Sequence, residues 1–221
     1  MARRNGSSTL SENVLQQLRS EILSGNLPPG KSLKASELSG IFEVSIAVIR
    51  EALTRLAEQG LIVSLPNLGF SVKTISTTEL QNLIEFRILN EGAALASAIE
   101  HGDIHWESTI IGAYHKLSQT PQYLSENPTQ INMQWTELHR EFHQSILSAC
   151  PNPFLTDLCV RLWDLSELYR HWSITRDLNR NVDEEHKALM NAIIARNTSE
   201  ALELHKQHIH VTADILIKEQ E

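Results

Sequence analysis

Apolar positions in the first third of the chain repeat first at helical spacing and then in short runs. Between residues 10 and 24 they recur three, four and seven positions apart, which predicts an amphipathic helix. Glycines and prolines then divide the chain into shorter segments. The predicted elements are helices over about 10–24, 35–41 and 47–59, and strands over 61–65 and 70–73. Three helices followed by a small β-hairpin predict a winged helix-turn-helix over residues 9–75.

The remainder of the chain shows helical periodicity and no convincing strand. Ser76 and Glu79 match a capping box, Asn152-Pro153 fits the start of a helix, and Thr198 fits an N-cap. Residues 119–129, with two prolines, are predicted to be a loop. Helices are predicted over about 78–100, 104–119, 130–149, 152–172, 182–196 and 198–218. The sequence therefore predicts a mainly α protein whose second domain, residues 78–219, is an all-helical bundle of about six helices.

Charge and histidine are unevenly divided between the two predicted domains. Residues 1–77 contain 8 Lys+Arg and 6 Asp+Glu, a net charge of +2. Residues 78–221 contain 11 and 21, a net charge of −10. All ten histidines lie between His101 and His210. The overall charge of −8 is thus a sum over two segments with different electrostatic duties.

Composition excludes several classes of protein. No stretch approaches the roughly 18 apolar residues of a membrane span, and no secretory signal is recognisable. The two cysteines, Cys150 and Cys159, are too few for a disulfide scaffold or a four-thiolate zinc site, and are expected to be small buried residues. We expect a cytoplasmic protein without a membrane partner.

The second helix of a helix-turn-helix lies in the major groove of DNA. Here that helix begins near Ser45, and Ile49 and Leu53 would face the core. Arg50 and Arg55 would be available to phosphates or bases, and the hairpin could place Asn67 and Lys73 near the adjacent backbone.

The first domain contains several short motifs in a fixed order: Leu27-Pro28-Pro29-Gly30, Glu37-Leu38, Ile49-Arg50-Glu51-Ala52-Leu53, Gly60-Leu61-Ile62 and Pro66-Asn67-Leu68-Gly69-Phe70. Together these motifs resemble those of GntR-type bacterial transcription regulators. The resemblance implies a homodimer on double-stranded operator DNA, with Arg50 as a DNA contact and Ser45, Asn67 and Gly69 as lesser contacts. The chain departs from the family at Ile46 and Leu68, where arginine is common. We therefore expect reduced non-specific DNA affinity or an unusual operator.

His139 and His143 are spaced to share one helix face and could both bind one cation. With further histidines from later helices they could converge inside a bundle, and imidazole suits zinc, nickel, copper or iron. The sequence His139-Arg140-Glu141-Phe142-His143 differs from the zinc-protease motif H-E-x-x-H. Glu141 comes one position later than the motif's glutamate, about 100° further round the helix, and would point away from such a metal. The chain is therefore predicted not to be an enzyme.

The second domain contains Arg87 and Glu91, Phe142-His143, Glu185-His186 and His208-Ile209. With these residues, the segment 78–219 resembles the ligand-binding domain of the FadR subfamily of GntR regulators. The resemblance implies a divalent metal held by His139 in place of the family's aspartate, His143, His186 and His208. This all-nitrogen set favours a transition metal, with zinc expected first and nickel or copper next, over magnesium or calcium. The resemblance also implies a small carboxylate effector, which Arg87 could bind; an ion pair between Arg87 and Glu91 is the alternative.

The other histidines have less specific expectations. His205 could support the metal site, although polar surface is the simpler interpretation, and His210 should point away from it. His101, His105, His115 and His171 are expected to be solvated or capping groups. The resulting hypothesis is a transcription regulator, with repression relieved by ligand as the commoner outcome in similar proteins. The alternatives are a helical metallohydrolase with an accessory winged helix, and an interaction module that no longer binds DNA.

Overall fold

The computed structural model describes residues 10–23, 25–65, 69–74, 76–174 and 180–217. The chain divides into two compact units, residues 1–75 and 76–221. Within the described residues the protein is mainly α, as predicted, and none of the helices is long and apolar enough to cross a membrane.

The first unit combines three helices with a small antiparallel sheet. Its elements are α1 (Leu10–Leu23), β1 (Ser32–Leu33), α2 (Ala35–Phe42), α3 (Ile46–Glu58), β2 (Ile62–Leu65) and β3 (Gly69–Val72). The strand order is β1-β3-β2, with Ser32 opposite Ser71 and Ile62 opposite Val72. The winged helix-turn-helix is confirmed. Strand β1 was not predicted, because two residues are too few to show a period.

The core of this unit holds α3 in place. Leu18 and Ile22 from α1 and Ile49, Leu53 and Leu56 from α3 are fully buried. Their spacing leaves the opposite face of α3 exposed to solvent.

The turn between α2 and α3 is fixed by local hydrogen bonds. Glu43 adopts a left-handed conformation with φ of 54°, which ends α2. Ser45 then caps α3 by accepting a hydrogen bond from the Val48 amide at 3.3 Å.

The second unit contains six helices in its described residues, as predicted. They are α4 (Thr77–His101), α5 (Ile104–Ser118), α6 (Met133–Leu147), α7 (Pro153–Ile174), α8 (Val182–Ile194) and α9 (Thr198–Ile217). The expected cap at Ser76 is present, since its hydroxyl accepts from the Glu79 amide at 3.2 Å. Asn152 likewise accepts from the amides of Phe154 and Leu155 at the start of α7.

Two expectations for this unit were wrong. Between α5 and α6, where a loop was predicted, β4 (Tyr123–Leu124) pairs antiparallel with β5 (Asn127–Ile131). The pattern concealed this hairpin because β4 is two residues long and β5 contains Pro128, which argues against a strand. The cap of α9 is Asn197 rather than Thr198, because the Asn197 side chain accepts from the Glu200 amide at 3.3 Å.

The core of this unit surrounds the inner face of α6. Phe142 and Ile146 are fully buried against a cluster that includes Leu95 of α4 and Ile193 of α8. Since Phe142 precedes His143, its burial fixes the face of α6 that points into the bundle. Cys150 and Cys159 are free and buried, as expected.

Candidate metal and effector site

His139 and His143 lie one turn apart on the inner face of α6, and both are buried. Trp135 stacks on His139, with ring centroids 4.7 Å apart and planes inclined by 15°. Trp163 of α7 contacts the His143 ring at a centroid distance of 4.7 Å. These aromatic contacts fix the orientation of both imidazole rings.

The structure brings all four histidines of the predicted metal set together. His139 Nε2 lies 3.1 Å from His186 Nε2, and His143 Nε2 lies 3.1 Å from His139 Nε2 and 3.3 Å from His186 Nε2. His208 of α9 completes a set whose potential ligand atoms all lie within 4.8 Å of one another. The ligands thus come from α6, α8 and α9.

This nitrogen cluster fits a bound cation better than a hydrogen-bonded network. A neutral imidazole nitrogen is either a donor or an acceptor, so among three mutually close Nε2 atoms at least one pair must be alike. A metal bound at 2.0–2.1 Å separates its nitrogen ligands by about 3.0 Å in octahedral and about 3.4 Å in tetrahedral geometry. The observed separations of 3.1–3.3 Å lie in this interval.

Electrostatics also favour neutral imidazoles, the form that binds metals. Burial, and then the neighbouring histidines, hold the pKa values of His139 and His143 well below their usual range. The pKa of His186 is lowered in the same way, by burial and by His208.

His208 is oriented by an ion pair that sequence analysis did not identify. Its Nδ1 lies 2.7 Å from Glu185 Oε2, and Arg180 donates to both oxygens of Glu185, at 2.8 and 2.6 Å. Burial opposes ionisation of Glu185, but hydrogen bonds from Arg180 and His208 outweigh it and lower the pKa of its carboxyl to about 2. The carboxylate therefore accepts a hydrogen bond from the Nδ1–H group of His208. This leaves the lone pair of His208 Nε2 available to bind a metal.

Arg87 forms a two-point ion pair with Glu91, at 2.6 and 3.1 Å, and both side chains are 3% exposed. Burial would raise the pKa of Glu91, but Arg87 and His205 lower it to about 2. The Arg87–Glu91 ion pair, which was the alternative to effector binding by Arg87, is thus present. It lies in the protein interior rather than on the helix surface. An effector carboxylate would have to compete with Glu91 for this guanidinium, and effector binding by Arg87 stays a prediction.

Two histidines that were expected at the surface are buried. His205 is 2% exposed, and its Nε2 lies 3.2 Å from Glu91 Oε2. His171 is 3% exposed and faces Glu167 at 4.0 Å. Histidine occurs at both buried and exposed positions, so its burial cannot be predicted from the residue type. Only the packing of α7 and α9 shows that these two side chains are buried. The prediction of an exposed position is confirmed for three other histidines, which are His101, His105 and His115.

A cavity of about 280 Å³ adjoins this cluster between α6 and α7. Its lining comprises Glu91, His143, Gln144, Leu147, Ser148, Thr156, Cys159, Val160 and Trp163. Since His143 belongs both to the histidine cluster and to the cavity wall, a small molecule in the cavity could reach a metal ion.

The predicted DNA-contacting residues of α3 differ in their availability. Arg50 is exposed, and within the described part of the chain it forms no ion pair. Arg55 instead pairs with Glu12 of α1 at 2.8 Å, so it links two helices of the unit. Ile46, where the family commonly has arginine, is 46% exposed at the start of α3.

The predicted contacts of the wing can be located only in part. Gly69 opens β3 with φ of +84°, a conformation that favours glycine, and nothing lies near its α-carbon on the side-chain side. Asn67 and Leu68 lie outside the described residues.

Comparison with known proteins identifies both units. Residues 10–72 match the model of the family described as bacterial regulatory proteins, gntR family, and residues 82–211 match the FCD domain. The chain is 31% identical to the HTH-type transcriptional regulator BphR of Paraburkholderia xenovorans, over 94% of this chain and 85% of the relative. It is 27% identical to the HTH-type transcriptional repressor GlaR of Escherichia coli, over 87% of this chain and 89% of the relative.

The fold is also found among solved structures. E. coli McbR/YncC superposes with a TM-score of 0.72 at 22% identity, covering 97% of this chain and 100% of that protein. Because the family and these relatives are transcription regulators, the prediction that the chain is not an enzyme is confirmed. The chain belongs to the gntR family of bacterial regulatory proteins and is a DNA-binding transcription regulator with a C-terminal FCD domain.

Proposed function

We propose that this regulator is a metal-dependent repressor whose operator binding is modulated by a small organic acid. The observation that carries the proposal is the set of four histidine ring nitrogens within 4.8 Å in the second unit. Repression is supported by the likeness to GlaR, which is named a transcriptional repressor.

The metal ligands are His139, His143, His186 and His208. Four nitrogen ligands without a carboxylate favour zinc, with nickel next, over magnesium or calcium. The bound ion supplies open coordination positions that accept an effector carboxylate. Glu185 fixes the tautomer of His208, and stacking on Trp135 fixes the orientation of the His139 ring.

The effector occupies the cavity beside His143, with its carboxylate towards the histidine cluster. Its effect on DNA binding equals the difference between its affinities for the DNA-competent and DNA-incompetent states. Arg87 is the second predicted effector contact, and it becomes available only where the effector displaces Glu91.

Operator recognition uses the exposed face of α3 and the wing. Arg50 is the principal cation, Ser45 and Gly69 bring the backbone close to phosphates, and Asn67 contributes from the wing. We propose that the regulator binds as a homodimer, because helix-turn-helix dimers match the two halves of a pseudo-palindromic operator.

Replacement of His186 by alanine should abolish metal binding. The purified wild-type protein is expected to contain about one transition-metal ion per chain, because four ligands meet at one point. Elemental analysis of His186→Ala should show background metal only. The matched control is His115→Ala, at an exposed position on α5, which should retain the wild-type metal content. Equal metal content in all three proteins would refute the site.

Glu185→Gln should weaken metal binding without removing a ligand. Loss of the carboxylate that orients the ligand histidine costs about 10- to 100-fold in metal affinity in comparable sites. Competition titration with a chromogenic chelator measures this change. Glu184→Gln is the matched control, since the neighbouring glutamate is exposed and its side chain is not part of the site. Identical affinities for the two variants would exclude the proposed role of Glu185.

Arg50→Ala should weaken binding to operator DNA and reduce its salt dependence. A lost phosphate contact lowers the slope of log affinity against log salt concentration by about 0.9 per protomer. Fluorescence anisotropy with the regulator's own upstream DNA, at several salt concentrations, measures both quantities. Arg161→Ala, which removes an exposed arginine from α7, should change neither quantity. An unchanged slope for Arg50→Ala would place Arg50 outside the interface.

Ile46→Arg should strengthen DNA binding. Position 46 is exposed in the first turn of α3, and an arginine there can add one phosphate contact. The salt slope should steepen by about 0.9 per protomer in the same anisotropy assay. Ile104→Arg adds the same charge at a position that is 77% exposed on α5, and it should have little effect. A gain of equal size in both variants would indicate a non-specific effect of net charge.

A further inference from the structure

The cavity beside His143 has a buried inner end and a polar mouth. His143, Glu91 and Trp163 are buried, whereas Gln144 and Ser148 are exposed to solvent. A small molecule that enters between α6 and α7 therefore meets the mouth first and the histidine cluster last.

The middle of the cavity is apolar. Leu147 of α6 and Cys159 and Val160 of α7 contribute apolar side chains to its lining. Burial raises the pKa of the Cys159 thiol to about 12, so it remains neutral and behaves as an apolar group. A hydroxyl placed between these side chains would find only the weak hydrogen-bonding capacity of the thiol, and the nearby Thr156 hydroxyl already donates to the Asn152 and Pro153 carbonyls.

The lining provides no cation of its own among the described residues. Glu91 is the charged side chain in the wall, and both of its oxygens already accept from Arg87. While Arg87 stays paired with Glu91, counter-charge for an anionic ligand is therefore available within the lining at the histidine cluster, once it holds a metal ion. One carboxylate can be neutralised there, and a second one in the cavity cannot.

We infer that the effector is a compact monocarboxylic acid with an apolar ring or branched body, and not a hydroxylated acid or a dicarboxylate. This inference rests on the proposed function, because the metal site supplies the counter-charge. The cavity offers room for about nine water-sized groups, which corresponds to an acid of about nine non-hydrogen atoms. The carboxylate points towards His143, and the body lies between Leu147 and Val160.

Two cyclic acids of the same skeleton test this inference. Cyclohex-1-ene-1-carboxylate has an apolar ring, and shikimate is the same ring acid with added hydroxyls. Isothermal titration of the metal-loaded full-length protein should show at least tenfold tighter binding of the first, because each unpaired buried hydroxyl weakens binding by about that factor. Cyclohexane-1,4-dicarboxylate should also bind at least tenfold more weakly than cyclohex-1-ene-1-carboxylate, because its second carboxylate finds no counter-charge in the cavity.

A matched pair of valine variants tests the position of the ring. Val160→Thr replaces one methyl group by a hydroxyl with nearly the same shape. It should weaken binding of cyclohex-1-ene-1-carboxylate about fourfold, the effect of one buried methylene, and leave shikimate binding unchanged or improved. Val63→Thr, at an exposed position on β2, should change neither affinity. Equal effects of the two variants would contradict the inferred position of the ring.

The metal content of each titrated sample separates the two possible failures. Absence of a histidine-dependent metal would overturn the proposed function, and with it the inference. A metal-loaded protein that binds shikimate or the dicarboxylate as tightly as the apolar acid would overturn the inference alone. The same holds if neither cyclohex-1-ene-1-carboxylate nor benzoate binds to the metal-loaded protein.

Discussion

Three imidazole nitrogens that meet at 3.1–3.3 Å in a buried helical core cannot all be satisfied by hydrogen bonds to one another. Buried polar atoms without partners are costly, so a further group that takes up the lone pairs would stabilise such a cluster. The packing of α6, α8 and α9 places these nitrogens together, and aromatic rings hold them there. Two carboxylates of the second unit, Glu91 and Glu185, lie against histidines next to this cluster.

A buried and a partly buried ion pair flank the histidines, and each is internally neutral. Arg87 pairs with Glu91, and both lie on α4. Arg180, which precedes α8, pairs with Glu185 in the first turn of that helix. In each pair the arginine keeps the carboxylate ionised, and the carboxylate then lies against a histidine, His205 in one case and His208 in the other. A carboxylate in such a place needs a positively charged partner. Removal of either arginine would therefore also disturb the contact between that carboxylate and its histidine.

Much of the fold and part of the site could be predicted from the sequence. His139 and His143 are recognisable because four-residue spacing on a helix is local, whereas His186 and His208 required a family resemblance. Arg180 could not be assigned, since its contact with Glu185 and His208 depends on how α8 and α9 pack. Neighbouring capping residues, as at the start of α9, are equivalent in sequence, and only the backbone decides between them.

The charge balance of the site explains why an anion suits it. Burial favours the neutral form of His139, His143 and His186, and the two ion pairs cancel, so these groups together carry no net charge, while the domain around them is acidic. In the proposed metal-bound state, a divalent cation would introduce an uncompensated positive charge at the inner end of the cavity. A single carboxylate would reduce that charge in a place where the low polarity of the walls strengthens the attraction. Selectivity for the rest of the proposed effector would then depend on Leu147, Cys159 and Val160, which offer contact area and at most the weak hydrogen bonds of a thiol.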